Sequence, residues 1–311
     1  MTIAAPLPGL SWIAVDWGTS SVRAWALDQD GTVLAGNASQ EGMGGLSPTD
    51  YEPALLRLVE AWLPANPTSP VHVVICGMAG ANQGWQEAPY RQIPCPPVTA
   101  GNLTSVPVRD KRVAVSIVPG ICQIDPADVM RGEETQLGGL IASKGLVDAT
   151  VCLPGTHSKW VRLEKGAIVE LKTVMTGELF SIIANQSILR HSVGSDGQDP
   201  EAFEGAMREM LQNPVMLTSA LFSIRANGLL QNVDASTARS RLSGLLIGAE
   251  LAATKAHWTG KQVHLIGAGP LVDAYAVALG AAGSTPIRED AEQLTLAGLK
   301  QVHASMQEVT T

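Results

Sequence analysis

Asp16 ends the apolar run Trp12-Ile13-Ala14-Val15 and is followed, past Trp17, by Gly18-Thr19-Ser20. A carboxylate at the end of a strand can orient a hydrated magnesium ion, and the amides of a Gly-led turn can approach phosphate oxygens because glycine has no Cβ to hold them off. The plainer use of the same residues is a hairpin turn in which Asp16 bonds its own backbone. The pattern returns about one domain later, where Val151-Cys152-Leu153-Pro154 meets Gly155-Thr156-His157-Ser158-Lys159. Pro154 and Leu153 stand before that second glycine, so no acid matches Asp16 and any metal falls to Asp16 alone. The second turn instead offers His157 and Lys159, either to phosphate or to solvent as ordinary strand residues.

Two further groups could do chemistry. In Arg131-Gly132-Glu133-Glu134, a glutamate could take a proton from an alcohol as it attacks phosphorus. Two acids in a first helical turn also suit the helix dipole with no catalytic duty. Arg131 could grip a carboxylate through its planar fork or pair with a neighbouring acid. Gly267-Ala268-Gly269 follows an apolar run and reads as a strand-to-helix turn seating a nucleoside. A dinucleotide fingerprint needs a third glycine, but Val272 follows Pro270-Leu271, and no P-loop sequence occurs.

The elements that must position these residues show in the periodicity. Each Gly-Thr turn leaves as a second strand, reaches Asp28-Gln29-Asp30-Gly31 or Glu164-Lys165-Gly166, and enters a third apolar run. Two such copies predict two related lobes whose Gly-Thr turns face one another across a cleft. Leu55, Leu56, Val59 and Trp62 predict a helix over 48–63. Val71-His72-Val73-Val74-Ile75-Cys76 predicts a buried strand that delivers Gly77-Met78-Ala79-Gly80 at its C-terminal end, where open α/β sheets place ligands. The Pro-rich stretch 88–107 predicts an excursion, 113–118 a strand and 131–136 a helix start. Strands follow over 149–174, helices over 176–258, a strand at 263–266 and, after a further helix, a terminal helix over 290–307. His72 and His264 read as core residues, Trp17, Trp25 and Trp160 as packing anchors, and Trp85 as part of a cleft wall.

At 311 residues and 45% hydrophobic content the chain suits two domains of about 150 residues each. The expected division is an N-terminal lobe, 1–140, and a C-terminal lobe, 141–311. A net charge of -8 and the lack of a long Lys/Arg run oppose a nucleic-acid partner. The four cysteines have neither Cys-x-x-Cys pairing nor His at metal-ligand spacing, so they read as free thiols of a reducing compartment. With no basic residue before Arg23, and with Pro6 and Pro8, the N-terminus reads as neither signal peptide nor membrane span. The expectation is a cytoplasmic protein with no membrane partner.

Met130-Arg131-Gly132-Glu133-Glu134-Thr135-Gln136-Leu137, Pro154-Gly155-Thr156-His157-Ser158-Lys159-Trp160, Thr176-Gly177-Glu178 and Ser243-Gly244-Leu245-Leu246-Ile247-Gly248-Ala249-Glu250 occur in order across the chain. Together with Asp16-Trp17-Gly18-Thr19 and Gly77-Met78-Ala79-Gly80, they resemble the 2-dehydro-3-deoxygalactonokinase family of the sugar kinase, Hsp70 and actin superfamily. The resemblance implies a two-lobed α/β fold of the actin-like ATPase type, a duplicated ribonuclease H-like unit with a central cleft. It further implies ATP and Mg2+ as cofactors, and phosphorylation of the terminal hydroxyl of 2-dehydro-3-deoxy-D-galactonate to the 6-phosphate in galactonate breakdown. Under this reading Gly18, Thr19, Ser20, Gly155, Thr156, His157, Lys159, Gly267 and Gly269 surround ATP. The second lobe seats the adenosine and the first the sugar acid. Asp16 organises the metal. Glu134 is the first choice of base and Glu133 the second, Arg131 takes the substrate carboxylate, and Asn82, Tyr90 and Glu41 are further contacts. Ala268 and Pro270 leave the seating of adenine open. Two other readings stay open: a regulatory nucleotide-binding protein of the same superfamily, and an NAD-dependent dehydrogenase resting on Gly267 and Gly269. A homodimer is the base-rate expectation.

Overall fold

The computed structural model describes residues 7–309. Along the chain lie β1 (Trp12–Trp17), β2 (Val22–Leu27), β3 (Val33–Ser39), α1 (Tyr51–Val59), β4 (Val71–Gly77), β5 (Arg91–Gln92), β6 (Thr104–Val106), β7 (Val113–Ile117), β8 (Ile121–Gln123), β9 (Asp128–Met130) and α2 (Glu133–Lys144). There follow β10 (Ala149–Leu153), β11 (Ser158–Glu164), β12 (Ala167–Val174), α3 (Thr176–Gln186), α4 (Pro200–Gln212), α5 (Leu217–Leu230), α6 (Ala235–Ala253), α7 (Lys255–Trp258), β13 (Gln262–Gly267), α8 (Gly269–Ala281), β14 (Thr285–Asp290) and α9 (Ala291–Val309). They form two compact units. The first holds the chain up to Val147, with Lys165–Val169 and the segment from Ala291; the second holds Asp148–Glu164 and Glu170–Asp290.

In the first unit β1 is apolar on both faces except at Asp16, as a strand covered on both sides must be. Ile13, Val15 and Trp17 pack with Tyr51, Leu55 and Val59 of α1, while Trp12 and Ala14 pack on the opposite face with Cys76 and with Leu299 and Val302 of α9. The strand pairs antiparallel with β2 and parallel with β4, giving the order β3-β2-β1-β4-β7-β6. In the second unit β10 pairs antiparallel with β11 and parallel with β13, giving β12-β11-β10-β13-β14. The repeat read from the Gly-Thr turns is thus a repeat of topology: a hairpin-linked trio, then a parallel crossover strand. This is the duplicated, ribonuclease H-like α/β arrangement of actin-like ATPases. Among the described residues no helix is long and apolar enough to cross a membrane.

Several elements depart from expectation. The helix over 48–63 is confined to α1, and the stretch 88–107 contains β5 and β6. The short β8 and β9 pair with each other, and β14 forms an edge beside β13 although its sequence, Thr-Pro-Ile-Arg-Glu-Asp, carries no apolar run. Pro286 is tolerated there because the strand lies at an edge. His72 is exposed on β4 rather than buried, whereas His264 is buried and its Nδ1 lies 2.9 Å from Glu289.

The largest departure is α9, which a division at 140/141 assigns to the second lobe and which packs instead in the first unit against α2. The cause is a close approach of backbones. A Cβ on Gly139 would stand 1.9 Å from the Leu294 carbonyl oxygen, and one on Gly298 would stand 2.0 Å from that of Thr135. Only glycine permits this seam, and Leu299 and Val302 bury their side chains beneath it.

Gly139→Ala should therefore destabilise the protein by about 2 kcal/mol or more, even though alanine is the better helix former by about 1 kcal/mol. Gly45→Ala, where an added Cβ meets nothing within 4 Å, is the control and should stay within about 0.5 kcal/mol of the parent. Urea denaturation checks both, and equal midpoints would remove the helix seam from the account.

Candidate active site

Asp16 lies at the C-terminal end of β1, in register with Arg23 on β2 and Cys76 on β4. The Arg23 guanidinium donates to Asp16 Oδ2 at 2.8 Å and to Glu292 at 2.9 Å, and the Cys76 thiol donates to Oδ1 at 3.9 Å. Burial of Arg23 works against its charge, but the two carboxylates outweigh it and hold its pKa above the ordinary value. Burial first, and then the Asp16 and Glu134 carboxylates, push the Cys76 thiol well up. Among the described residues no group of three or more His, Cys, Asp or Glu is placed to hold a metal. A single partly exposed acid fits magnesium, which keeps its waters and takes one or two carboxylates plus substrate phosphates.

The first Gly-Thr turn differs from expectation at Gly18, whose amide donates to the Ser21 carbonyl at 2.9 Å and so closes the turn. The exposed residues Thr19 and Ser20 are left to meet a ligand. The turn is braced from outside, since the Met43 and Gly44 amides donate to the Gly18 and Thr19 carbonyls at 3.0 and 2.9 Å.

At the start of α2 both glutamates serve the backbone. Glu133 accepts the Arg131 amide at 3.0 Å, while both oxygens of Glu134 accept the Gly132 amide, at 3.0 and 2.7 Å. Gly132 takes a φ of 105°, a conformation that favours glycine, as the chain turns into the helix. Their surroundings differ. Glu133 is half-buried, whereas Glu134 is fully buried, and desolvation, with the Glu133 charge beside it, raises its carboxyl to about 8. Of the two, Glu133 is the more exposed.

Arg131 is buried, with its guanidinium 4.4 Å from the Tyr90 ring and Nη2 donating to the Ala88 carbonyl at 2.9 Å. Its Nε and Nη1 are buried without a hydrogen-bond partner. Such donors are costly to leave unmet, and an oxygen-rich anion suits them. Asn82 bonds Glu87 at 3.1 Å on an exposed loop, and Glu41 is ion-paired with Arg57. Trp85 packs on Trp17 and Tyr51, with ring centroids 6.1 and 5.9 Å away, and also lines a surface pocket with Pro48, Glu52 and Arg109. Trp17, Trp25 and Trp160 are buried anchors as expected.

In the second unit Gly155 and Thr156 line a cavity of about 580 Å³ together with Gly177, Phe180, Arg239 and Pro270. Arg239 lies 4.9 Å over the Phe180 ring. Gly267 and Gly269 shape the entry to α8, while Pro270 and the residues after it supply the lining. His157 is engaged by Glu178, 2.5 Å away, in a half-exposed pair. Lys159 is only 6% exposed and has no ion pair among the described residues. Glu289, the acid that a dinucleotide reading requires about 20 residues beyond its glycines, is buried against His264.

A sequence model of the 2-keto-3-deoxy-galactonokinase family matches residues 16–302. The chain belongs to this family. It is 42% identical over 297 residues to a probable 2-dehydro-3-deoxygalactonokinase of Rhizobium meliloti (strain 1021), covering 93% of this chain and 95% of that one. It is 35% identical over 248 residues to the 2-dehydro-3-deoxygalactonokinase of Escherichia coli (strain K12), covering 78% and 80%. A crystal structure of a candidate 2-dehydro-3-deoxygalactonokinase protein from Sinorhizobium meliloti superposes with a TM-score of 0.86 at 42% identity, over 95% of this chain and 96% of that one. Within this kinase family neither the dehydrogenase nor the regulatory reading is favoured.

The structure thus gathers Asp16, Glu133, Glu134, Arg131 and Tyr90 in the first unit, and Gly155, Thr156 and the start of α8 in the second. Sequence reasoning missed Arg23 as the partner of Asp16, although it is the nearest cation beyond the turn. It also missed the brace from Gly42-Met43-Gly44, whose run of small residues was the available signal.

The Glu134 shift carries a pH signature. Its folded pKa lies above the unfolded one, so its contribution is whole below about pH 4 and is lost as pH rises through 8. Over that window stability should fall by up to about 1.4 kcal/mol per pH unit from this group. Glu134→Gln cannot ionise, so relative to wild type it should gain stability between about pH 5 and pH 8. Parallel stability curves for the two proteins in urea would refute the assignment.

Proposed function

We propose that this chain is an ATP-dependent kinase that transfers a phosphoryl group to the terminal hydroxyl of 2-dehydro-3-deoxy-D-galactonate, giving the 6-phosphate. Arg131 carries the reading: a buried guanidinium with two unmet donors, stacked on Tyr90 and placed beside the two glutamates, is what a sugar acid needs and a neutral sugar does not. The family supports the reaction class.

In the first unit Arg131 holds the substrate carboxylate, with Tyr90 closing over the guanidinium. Glu133 is the base that receives the proton of the attacking hydroxyl, and Glu134 fixes the helix start from which Glu133 projects. Asp16 would hold Mg2+ through its water shell, with Arg23 setting the orientation of its carboxylate. Bound magnesium supplies positive charge to offset the charge that develops on phosphate oxygens. Thr19 and Ser20 present the first turn to phosphate. In the second unit the cavity seats the adenosine beside Phe180 and Arg239, and Thr156 and Lys159 contact phosphate; with Glu178 engaging it, His157 is the weaker contact. The chain's contribution is mostly positioning and charge, because phosphoryl transfer asks little covalent chemistry of it. Residence in the cytoplasm belongs to the same proposal and suits four free thiols. So does a homodimer, for which the exposed Phe222, Leu229 and Leu230 of α5 offer an apolar face.

An assay that couples ADP release to sugar-acid addition tests the reading directly. Turnover is expected with 2-dehydro-3-deoxygalactonate and not with simple hexoses; the gluconate epimer sets the stereochemical preference. Arg131→Met should raise the sugar-acid KM by roughly 100-fold, the scale of a lost charge-assisted contact, and leave the ATP KM within about twofold. Hexose turnover equal to sugar-acid turnover would overturn the assignment.

The roles of the acids separate in kcat. Asp16→Asn should lose most turnover while keeping the fold. Glu133→Gln should lower kcat by about 10²–10⁴-fold, the usual worth of a general base. Glu134→Gln should cost far less, and equal, mild losses in the two glutamate variants would remove the general-base role from this helix.

A further inference from the structure

Glu250 on α6 is 2% exposed, and no step above uses it. Its carboxylate gathers donors from three other elements. Trp160 Nε1 on β11 donates to Oε1 at 2.8 Å, the Tyr275 hydroxyl on α8 donates to Oε2 at 2.5 Å, and the Thr176 hydroxyl at the start of α3 also donates to Oε2. The single Tyr275 proton is committed to Glu250, so Ser158 Oγ, 2.7 Å away, donates to the Tyr275 oxygen. Burial raises the Glu250 carboxyl, and these hydrogen bonds oppose the rise.

The donors belong to the segments that build the second unit's cavity. Ser158 and Trp160 follow directly on the Gly155-Thr156 turn. Thr176 lines the cavity itself, and Gly177 beside it packs so closely on that turn that a Cβ would stand 2.3 Å from the Gly155 carbonyl oxygen. Tyr275 lies next to Ala274 and one helical turn beyond Leu271, both of which line the cavity, and Ile247 lines it one turn before Glu250. A buried ion is expensive, and shape alone could be filled by an apolar side chain. What a carboxylate adds is acceptors only: it meets three converging donors and presents none of its own, which a glutamine cannot do.

We propose that Glu250 is a positioning residue for nucleotide binding, its carboxylate tying the second Gly-Thr turn, the start of α3 and the first turns of α8 into the one arrangement that fits the nucleotide's phosphate end. The proposal rests on the reading of this cavity as the nucleotide site. Glu250 touches no ligand; it acts through the three elements it fastens. Its loss therefore shows in nucleotide affinity before it shows in sugar-acid affinity.

The test measures ADP binding by calorimetry, and KM for ATP and for the sugar acid, in wild type, Glu250→Gln and Tyr275→Phe. Glu250→Gln is expected to fold, to bind ADP roughly tenfold or more weakly, and to keep its sugar-acid KM within about twofold. Tyr275→Phe should weaken ADP binding by a smaller factor. The double variant should lose less than the product of the two single losses, because both act on one network. Should Glu250→Gln fail to fold, Tyr275→Phe and Thr176→Val carry the same comparison, each with weaker ADP binding and an unchanged sugar-acid KM. A lower melting temperature with normal ADP binding, or equal rises in both KM values, would overturn the proposal. Wild-type protein that binds no ADP would instead bring down the nucleotide reading, and this proposal with it.

Discussion

The backbone seam between α2 and α9 governs where the first unit keeps its charges. Where Gly139 meets Leu294 and Gly298 meets Thr135, the helices sit closer than any side chain allows, so their relative position is set by contact of main chains rather than by adaptable side chains. One end of this pair presents Glu133 and Glu134. The first turn of the other presents Glu292, which holds Arg23, which in turn holds Asp16. The acids at opposite ends of this chain of contacts thus share one mechanical reference, although Arg23 and Glu292 are 269 residues apart in sequence.

Given that frame, burial decides what each carboxylate can do. Glu134 accepts an amide with both oxygens and has no exposed surface, so desolvation favours its protonated form at neutral pH. Glu133, one residue away, is half-buried and spends one oxygen on the Arg131 amide. Glu250 is as buried as Glu134, but three donors oppose the penalty. The same side chain therefore serves as a helix cap, a candidate base and a structural acceptor, distinguished by solvent and donors rather than by sequence motif.

This explains what the sequence could and could not disclose. The paired strand-turn-strand patterns around Gly18 and Gly155 translated directly into two sheets of matching order, because apolar alternation and turn glycines are local signals. Asp16, Arg131 and the α2 start stood out as candidates for the same reason. The return of α9 to the first unit was not, since nothing in the residues around 290 announces which glycines on α2 they will touch. β14 escaped because an edge strand needs no apolar run. The difference between Glu133 and Glu134 was hidden for a related cause: one-residue differences in burial arise only when the helix is docked, and the pair reads identically in the chain.

The two copies of the Gly-Thr turn also differ in charge. In the first unit Asp16 is ion-paired with Arg23 and Glu134 is held protonated at neutral pH by burial, which leaves Glu133 as the half-buried acid of the group. The second unit has no acid at the position matching Asp16, the buried Glu250 carboxylate is surrounded by donors, and Lys159 follows the turn without an ion pair among the described residues. The same Gly-Thr turn thus stands in two electrostatic settings, beside the Asp16–Arg23 ion pair in the first unit and with no acid at the matching position in the second.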